Sequence, residues 1–149
     1  MVRIGGTIRY GVSAVISNNE YNILLTIWKA GHALSAQEIV ENMEDKSFKD
    51  RTIHSILTAM LEKGLIFVDG QRLSSRIYCR LFNTSLSFEQ FQSRQIMDSP
   101  VYRQNKAQVL PGILSALVED EDVGPDTLDK LEALLKERKK RLRDEADGI

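Results

Sequence analysis

Cysteine occurs once in these 149 residues, as Cys79. One thiol can neither form an internal disulfide nor hold a multi-cysteine metal cluster, and the compartment it suits is a reducing cytoplasm. Histidine is nearly as scarce. His32 and His54 stand far apart, without a cysteine or carboxylate at ligand spacing, so no metal site is expected. No apolar run approaches the ~20 residues that cross a bilayer, and the start, Met1 to Val15, is interrupted by Gly5, Gly6 and Gly11. Neither membrane insertion nor a secretory leader is expected. Also missing are a Ser/His/Asp nucleophile motif, a glycine-rich phosphate loop and paired catalytic carboxylates, so the chain reads as a non-enzyme without a cofactor. There is no surplus of charge either: the net formal charge is −1. Met1 to Leu86 carries two more Lys and Arg than Asp and Glu, with ten against eight, while Ser87 to Ile149 carries ten against thirteen. That is not the composition of a nonspecific DNA coater, and the slight positive bias lies in the first half.

What the chain does have is helical periodicity with clear starts and stops. Its 42% hydrophobic content suffices for one domain, or one domain with an appendage. Ser17 and Glu20 stand at capping-box spacing, and Tyr21, Leu24, Leu25 and Trp28 follow at i, i+3, i+4 and i+7, which predicts a helix from about Asn18 to Ala30 stopped by Gly31. Ser35 and Glu38 repeat the capping spacing ahead of a shorter helix ending near Glu44. A third helix is expected from Asp50 to Lys63, closed by Gly64. Its apolar stripe is Ile53, Ile56, Leu57, Met60 and Leu61, leaving Arg51, His54, Ser55, Thr58 and Glu62 elsewhere. Leu65 to Val68 and Arg76 to Leu81 suit two antiparallel strands around a polar turn from Asp69 to Ser75.

Helix, turn, helix and ribbon in that order make a winged helix-turn-helix, whose second helix can enter the DNA major groove. From Ser87 the pattern is helical again, through Phe88 and Phe91, until Ser99-Pro100 interrupts it. A further helix is expected from about Val101 to Val118, kinked or broken at Pro111. After the acidic connector Glu119 to Asp122, Gly124-Pro125-Asp126 opens a last helix with a Leu128, Leu131, Leu135, Leu142 seam and a basic run from Lys136 to Arg143. The expected fold is mainly α with a small β-hairpin wing. It divides into an N-terminal arm (1–16), a winged-helix DNA-binding domain (17–86) and a helical dimerisation domain (87–149).

The chain resembles the penicillinase and methicillin-resistance repressors, the BlaI/MecI-like family of bacterial winged-helix proteins. The resemblance runs over about Ile16 to Lys139. It is carried by Ile16-Ser17-x-x-Glu20-Tyr21-x-Ile23-Leu24-x-x-Ile27-Trp28-Lys29, by Ser35-Ala36-x-Glu38-Ile39, and by Arg51-Thr52-Ile53-x-x-Ile56-Leu57-x-x-Met60-x-x-Lys63-Gly64. Its last piece is Leu117-Val118-Glu119-x-Glu121-Asp122 with Leu128, Leu131, Leu134 and Leu135. No one piece is diagnostic, but four in the right order are fairly specific. The resemblance implies a homodimer that binds a palindromic operator through its winged helices, joined by C-terminal helices. It implies repression of resistance or membrane-stress genes. Some relatives are released from DNA by a membrane sensor protease that cuts an Asn-Phe bond before the acidic connector. This chain has Ala116-Leu117 there, which departs from that pattern. It also lacks the C-terminal cysteine cluster of copper-sensing relatives, and Ala59 stands where relatives often carry an arginine.

The candidate DNA-contacting residues are Lys49, Arg51, Thr52, His54, Ser55 and Thr58 on and before the third helix, with Arg72 and Arg76, and beside them Arg80, at the wing. Short hydroxyl side chains reach base edges, and arginines reach guanine or phosphate. The plain alternative is a solvated helix face and an edge hairpin that keeps its charges to discourage strand pairing. Leu114, Leu117, Leu128, Leu131 and Leu135 are the dimerisation candidates, since helices outside the winged-helix core have little of their own chain to cover them. Trp28 reads as core. Cys79 suits a small buried hydrophobe, with a redox thiol as the other option. Two further functions stay open: a winged helix that binds protein, and a thiol- or metal-responsive regulator.

Overall fold

The computed structural model describes residues 16–148, so the expected N-terminal arm lies outside the described residues except for Ile16. Helix α1 (Asn18–Ala30) starts as its sequence requires. The Ser17 hydroxyl accepts from the Glu20 N–H and the Glu20 carboxylate accepts from the Ser17 N–H. Gly31 ends the helix with φ 77°, a left-handed conformation that costs glycine nothing. Ile23, Leu24 and Ile27 form its buried face. A two-residue strand β1 (Leu34–Ser35), too short to leave a periodic signal, follows, and Ser35 then caps helix α2 (Ala36–Asn42) through a second box with Glu38.

The third helix begins later than its polar start suggests. Asp50–Thr52 form a 3-10 turn, and the α-helix proper, α3, is Ile53–Lys63. Gly64 takes φ 77° beyond its end, and the Leu65 N–H reaches back to the Met60 carbonyl at 3.0 Å, closing the last turn. Ile53, Leu57 and Met60 are buried, while Ile56 and Leu61 pack at the core's edge.

Strands β2 (Ile66–Ser74) and β3 (Ile77–Thr84) are longer than the sequence suggested, and β3 sits between β1 and β2 in an antiparallel sheet. The correction concerns Asp69-Gly70. Instead of turning the chain they form a bulge, both standing opposite Leu81 while the ladder resumes at Gln71–Arg80, and Gly70 supplies the positive φ (81°). The reversal comes at Ser75-Arg76, a two-residue loop in which Ser75 holds φ 60°. Arg76 therefore lies at the hairpin tip, outside β3.

Helix α4 (Phe88–Met97), capped by Ser87 and Gln90, belongs to the same compact unit, which ends at Ser99. Phe91 is buried, and its ring lies 5.3 Å from that of Trp28, with Tyr21 and Phe88 completing the aromatic cluster. The Trp28 indole N–H donates to the Leu86 carbonyl at 3.0 Å, so this core aromatic is also satisfied as a donor. The second unit, Pro100–Ile149, holds helices α5 (Pro100–Gln104), α6 (Lys106–Val118) and α7 (Pro125–Ala146). The helical stretch breaks at Asn105, while Pro111 is carried inside α6. No described residue of α6 or α7 is buried. No described helix is long and apolar enough to cross a membrane.

The buried stripe sets which side of α3 faces out, and neighbouring residues test it. Leu57→Ala is expected to cost about 2–5 kcal/mol in urea unfolding, through lost apolar burial and a residual cavity. Thr58→Ala, one residue on and exposed, is expected to change stability by no more than about 0.5 kcal/mol. Equal losses at the two sites would contradict the orientation.

Candidate nucleic-acid interface

With about 100° per helical residue, the buried positions of α3 fix the opposite arc. His54, Ser55, Thr58 and Glu62 fall within about 100° of one another on that arc, and all are exposed. Arg51 and Lys49 are exposed on the 3-10 turn and just before it, while Thr52 is half-buried at the junction. The structure thus places His54, Ser55 and Thr58 on one exposed arc, with Lys49, Arg51 and Thr52 at or before its N-terminal end.

Their hydrogen bonds narrow what they can do. Ser55 Oγ donates to the Thr52 carbonyl at 2.9 Å, and Thr58 Oγ1 donates to the His54 carbonyl at 2.9 Å. Each hydroxyl proton is spent on the helix itself, so these groups present lone pairs outward and would accept from base amino groups. Thr52 does not cap α3 with its side chain; the 3-10 turn serves the helix start instead, with the Ile53 N–H donating to the Asp50 carbonyl and the Thr52 N–H to the Lys49 carbonyl at 2.8 Å. The Asp50 carboxylate pairs with Lys46, which reduces the repulsion a phosphate would meet beside Arg51.

The three wing arginines have separate surroundings. Arg72 Nη2 binds Glu38 Oε1 at 2.5 Å, tying β2 to α2. Arg80 stacks its guanidinium 5.3 Å from the centre of the Phe82 ring. Arg76 stands at the hairpin tip, exposed, and among the described residues it has no ion pair. Two neighbours of α3 were not among the sequence candidates: Gln37 and Tyr78 join His54 and Arg80 in lining the groove between α2, α3 and β3. Its even spacing from Arg80 on one strand was the signal for Tyr78; nothing marked Gln37, whose place depends on how α2 packs. Cys79 is a free, half-buried thiol directly across from Arg72.

Two acids do more than cap. Glu38 is held below the ordinary glutamate range, first by the Ser35 backbone N–H, against which burial works, then by the Ser35 hydroxyl and by Arg72. Glu20, nearly fully buried, receives Lys63 Nζ at 2.8 Å on both oxygens, which joins the start of α1 to the last residue of α3. In the second unit, Leu117, Leu128 and Leu135 are exposed, whereas Leu114 and Leu131 are half-buried.

Comparison with known proteins adds one finding. A family model described as penicillinase repressor matches residues 16–137. No curated protein matches the chain.

The Glu38 cluster makes a pH prediction. Because the folded-state pKa is depressed, ionised Glu38 stabilises the fold above its unfolded value near 4.5, and that contribution disappears as pH falls through the lower folded value. Urea midpoints measured from pH 7 down to 3 should therefore drop less steeply for Glu38→Gln than for the parent. Parallel acid limbs would contradict the assignment.

Proposed function

The chain belongs to the penicillinase-repressor family of DNA-binding transcriptional repressors, and from that premise we propose that it acts as a homodimer on a palindromic operator. Each protomer lays α3 in the major groove. Arg51, His54, Ser55 and Thr58 read base edges, Lys49 and Thr52 contact the backbone at the helix start, and Arg76 at the wing tip meets phosphate. Arg72 contributes by holding the wing against α2 through Glu38. The observation that carries this reading is the exposed polar arc of α3, set opposite the stripe of Ile53, Leu57 and Met60.

The division of labour follows the order of elements. Residues 17–86 form the DNA-binding part, and the helices beyond it join the protomers through Leu114, Leu117, Leu128, Leu131 and Leu135. Exposed leucines on helices without a buried residue support this, because apolar side chains left in water favour a partner. A two-fold pair spaces its reading helices by about 34 Å or a multiple, which suits an inverted repeat. The protein's place is the cytoplasm. A protein-binding winged helix is the second reading, favoured by one observation: residues 17–86 hold eight Lys and Arg and eight Asp and Glu, and so carry no net charge.

Electrophoretic mobility shift against the DNA upstream of the protein's own gene, run across salt concentrations, separates the two. The repressor reading predicts specific, salt-sensitive binding, and absence of binding at every salt concentration would end it. Arg51→Ala is expected to weaken operator binding by about 1–3 kcal/mol; wild-type affinity would remove Arg51 from the reading set. Leu131→Asp is expected to shift sedimentation toward monomer and lower operator affinity with it. A dimer of unchanged stability would reject the leucine seam.

A further inference from the structure

The strongest concentration of positive charge in the chain lies outside the winged helix, in the second half of α7. Residues 136–143 contain six Lys and Arg and one acid, Glu137. Lys136, Lys139, Lys140 and Arg143 recur at i, i+3, i+4 and i+7, which puts them on one side of the helix, where they line a shallow groove bordered by Ala133 and Glu137. All four are exposed. Among the described residues none of them forms an ion pair, although Glu132 and Glu137 are close in sequence. The row is centred about 100° around the helix from the Leu128, Leu131, Leu135, Leu142 seam, with Lys139 at its near edge. Covering the seam with a partner would leave Lys136, Lys140 and Arg143 in water.

From this we infer that the stripe Lys136, Lys139, Lys140 and Arg143 is a second, sequence-independent contact to the phosphate backbone of duplex DNA. The inference rests on the repressor reading and supplies what that reading lacks. In the winged helix only Lys49 and Arg76 are assigned to phosphate while Arg72 is engaged by Glu38, and residues 17–86 carry no net charge to attract DNA at long range, so further cations would add both counterion release and steering. Four unpaired cations spread over about 10 Å of helix face several backbone charges, since duplex DNA carries one per ~1.7 Å of axis. An anionic lipid surface would also attract lysines. A membrane-lying helix, however, sets aromatic and apolar residues in the bilayer boundary, and α7 has no aromatic residue and an acidic first half with Asp126, Asp129 and Glu132.

The test uses the full chain and a variant with Lys136→Gln, Lys139→Gln, Lys140→Gln and Arg143→Gln, glutamine being nearly as good a helix former as lysine. Operator affinity is measured from 50 to 200 mM salt on a duplex with long flanks, with circular dichroism and sedimentation confirming fold and dimer. Each lost phosphate contact should flatten the slope of log affinity against log salt by about 0.9, so the loss of four per protomer, eight in the dimer, makes the variant's fall in affinity over that range smaller by roughly 10,000-fold. A second variant with Lys136→Arg, Lys139→Arg and Lys140→Arg should keep the parental slope. An operator-binding parent and a four-glutamine variant with equal slopes would overturn the inference while leaving the repressor reading intact. A parent that binds every duplex alike, with a stripe-dependent slope, would end operator recognition yet support the stripe. If the substitutions abolish co-sedimentation with phosphatidylserine vesicles and leave the DNA slope unchanged, the stripe serves a membrane and the inference fails.

Discussion

Burial of one stripe on one helix governs what this molecule can present. Ile53, Leu57 and Met60 lie in the core with Ile23, Leu24, Ile27 and Ile39, and each is worth kilocalories that would be lost if α3 turned about its axis. Rotation by a third of a turn would bring His54 or Thr58 toward that core and lift leucine into water. The polar arc is therefore presented at a fixed angle. The proposed reading of base edges would need that fixity more than any one contact, because donors and acceptors must be matched at set positions.

The acids of the first two capping boxes extend the same control to the helix ends. Glu20 closes the first turn of α1 and also receives Lys63, the last residue of α3. Glu38 closes the first turn of α2 and also receives Arg72 from the wing. Each carboxylate thus does a local job, satisfying N–H groups that a helix start leaves open, and a tertiary one, fixing a neighbouring element. Helix α3 and the wing are held by side chains whose sequence signature advertises only a helix start. Position at the interface is coupled in this way to the folding of α1 and α2.

Much of this was legible beforehand, and the failures have physical reasons. The first three helices, their glycine stops and the exposed set on α3 follow from 3.6-residue periodicity and capping spacing, signals confined to a few neighbouring residues. Strand β1 was not legible, because two residues carry no alternation and Leu34 pairs only with distant Phe82. Asp69-Gly70 misled because the positive φ that glycine supplies serves a bulge as well as a turn, and only the cross-strand register distinguishes them. At the interface the polar types were readable, yet their partners were not. That Arg72 is engaged by Glu38, and that Ser55 and Thr58 spend their protons on carbonyls of their own helix, depends on packing and rotamers. The roles of the leucines in α6 and α7 lie further out still, since a seam shows that something apolar is wanted and not which way a partner runs.

The most direct measurement is the backbone amide NMR spectrum of the protein titrated with its operator duplex. Recognition through α3 and the wing predicts the largest shift changes at Arg51, His54, Ser55, Thr58 and Arg76, with Ile23, Leu24 and Ile27 on the buried face of α1 scarcely moved. A specific complex that leaves the α3 arc unperturbed and shifts only residues beyond Ser99 would contradict it.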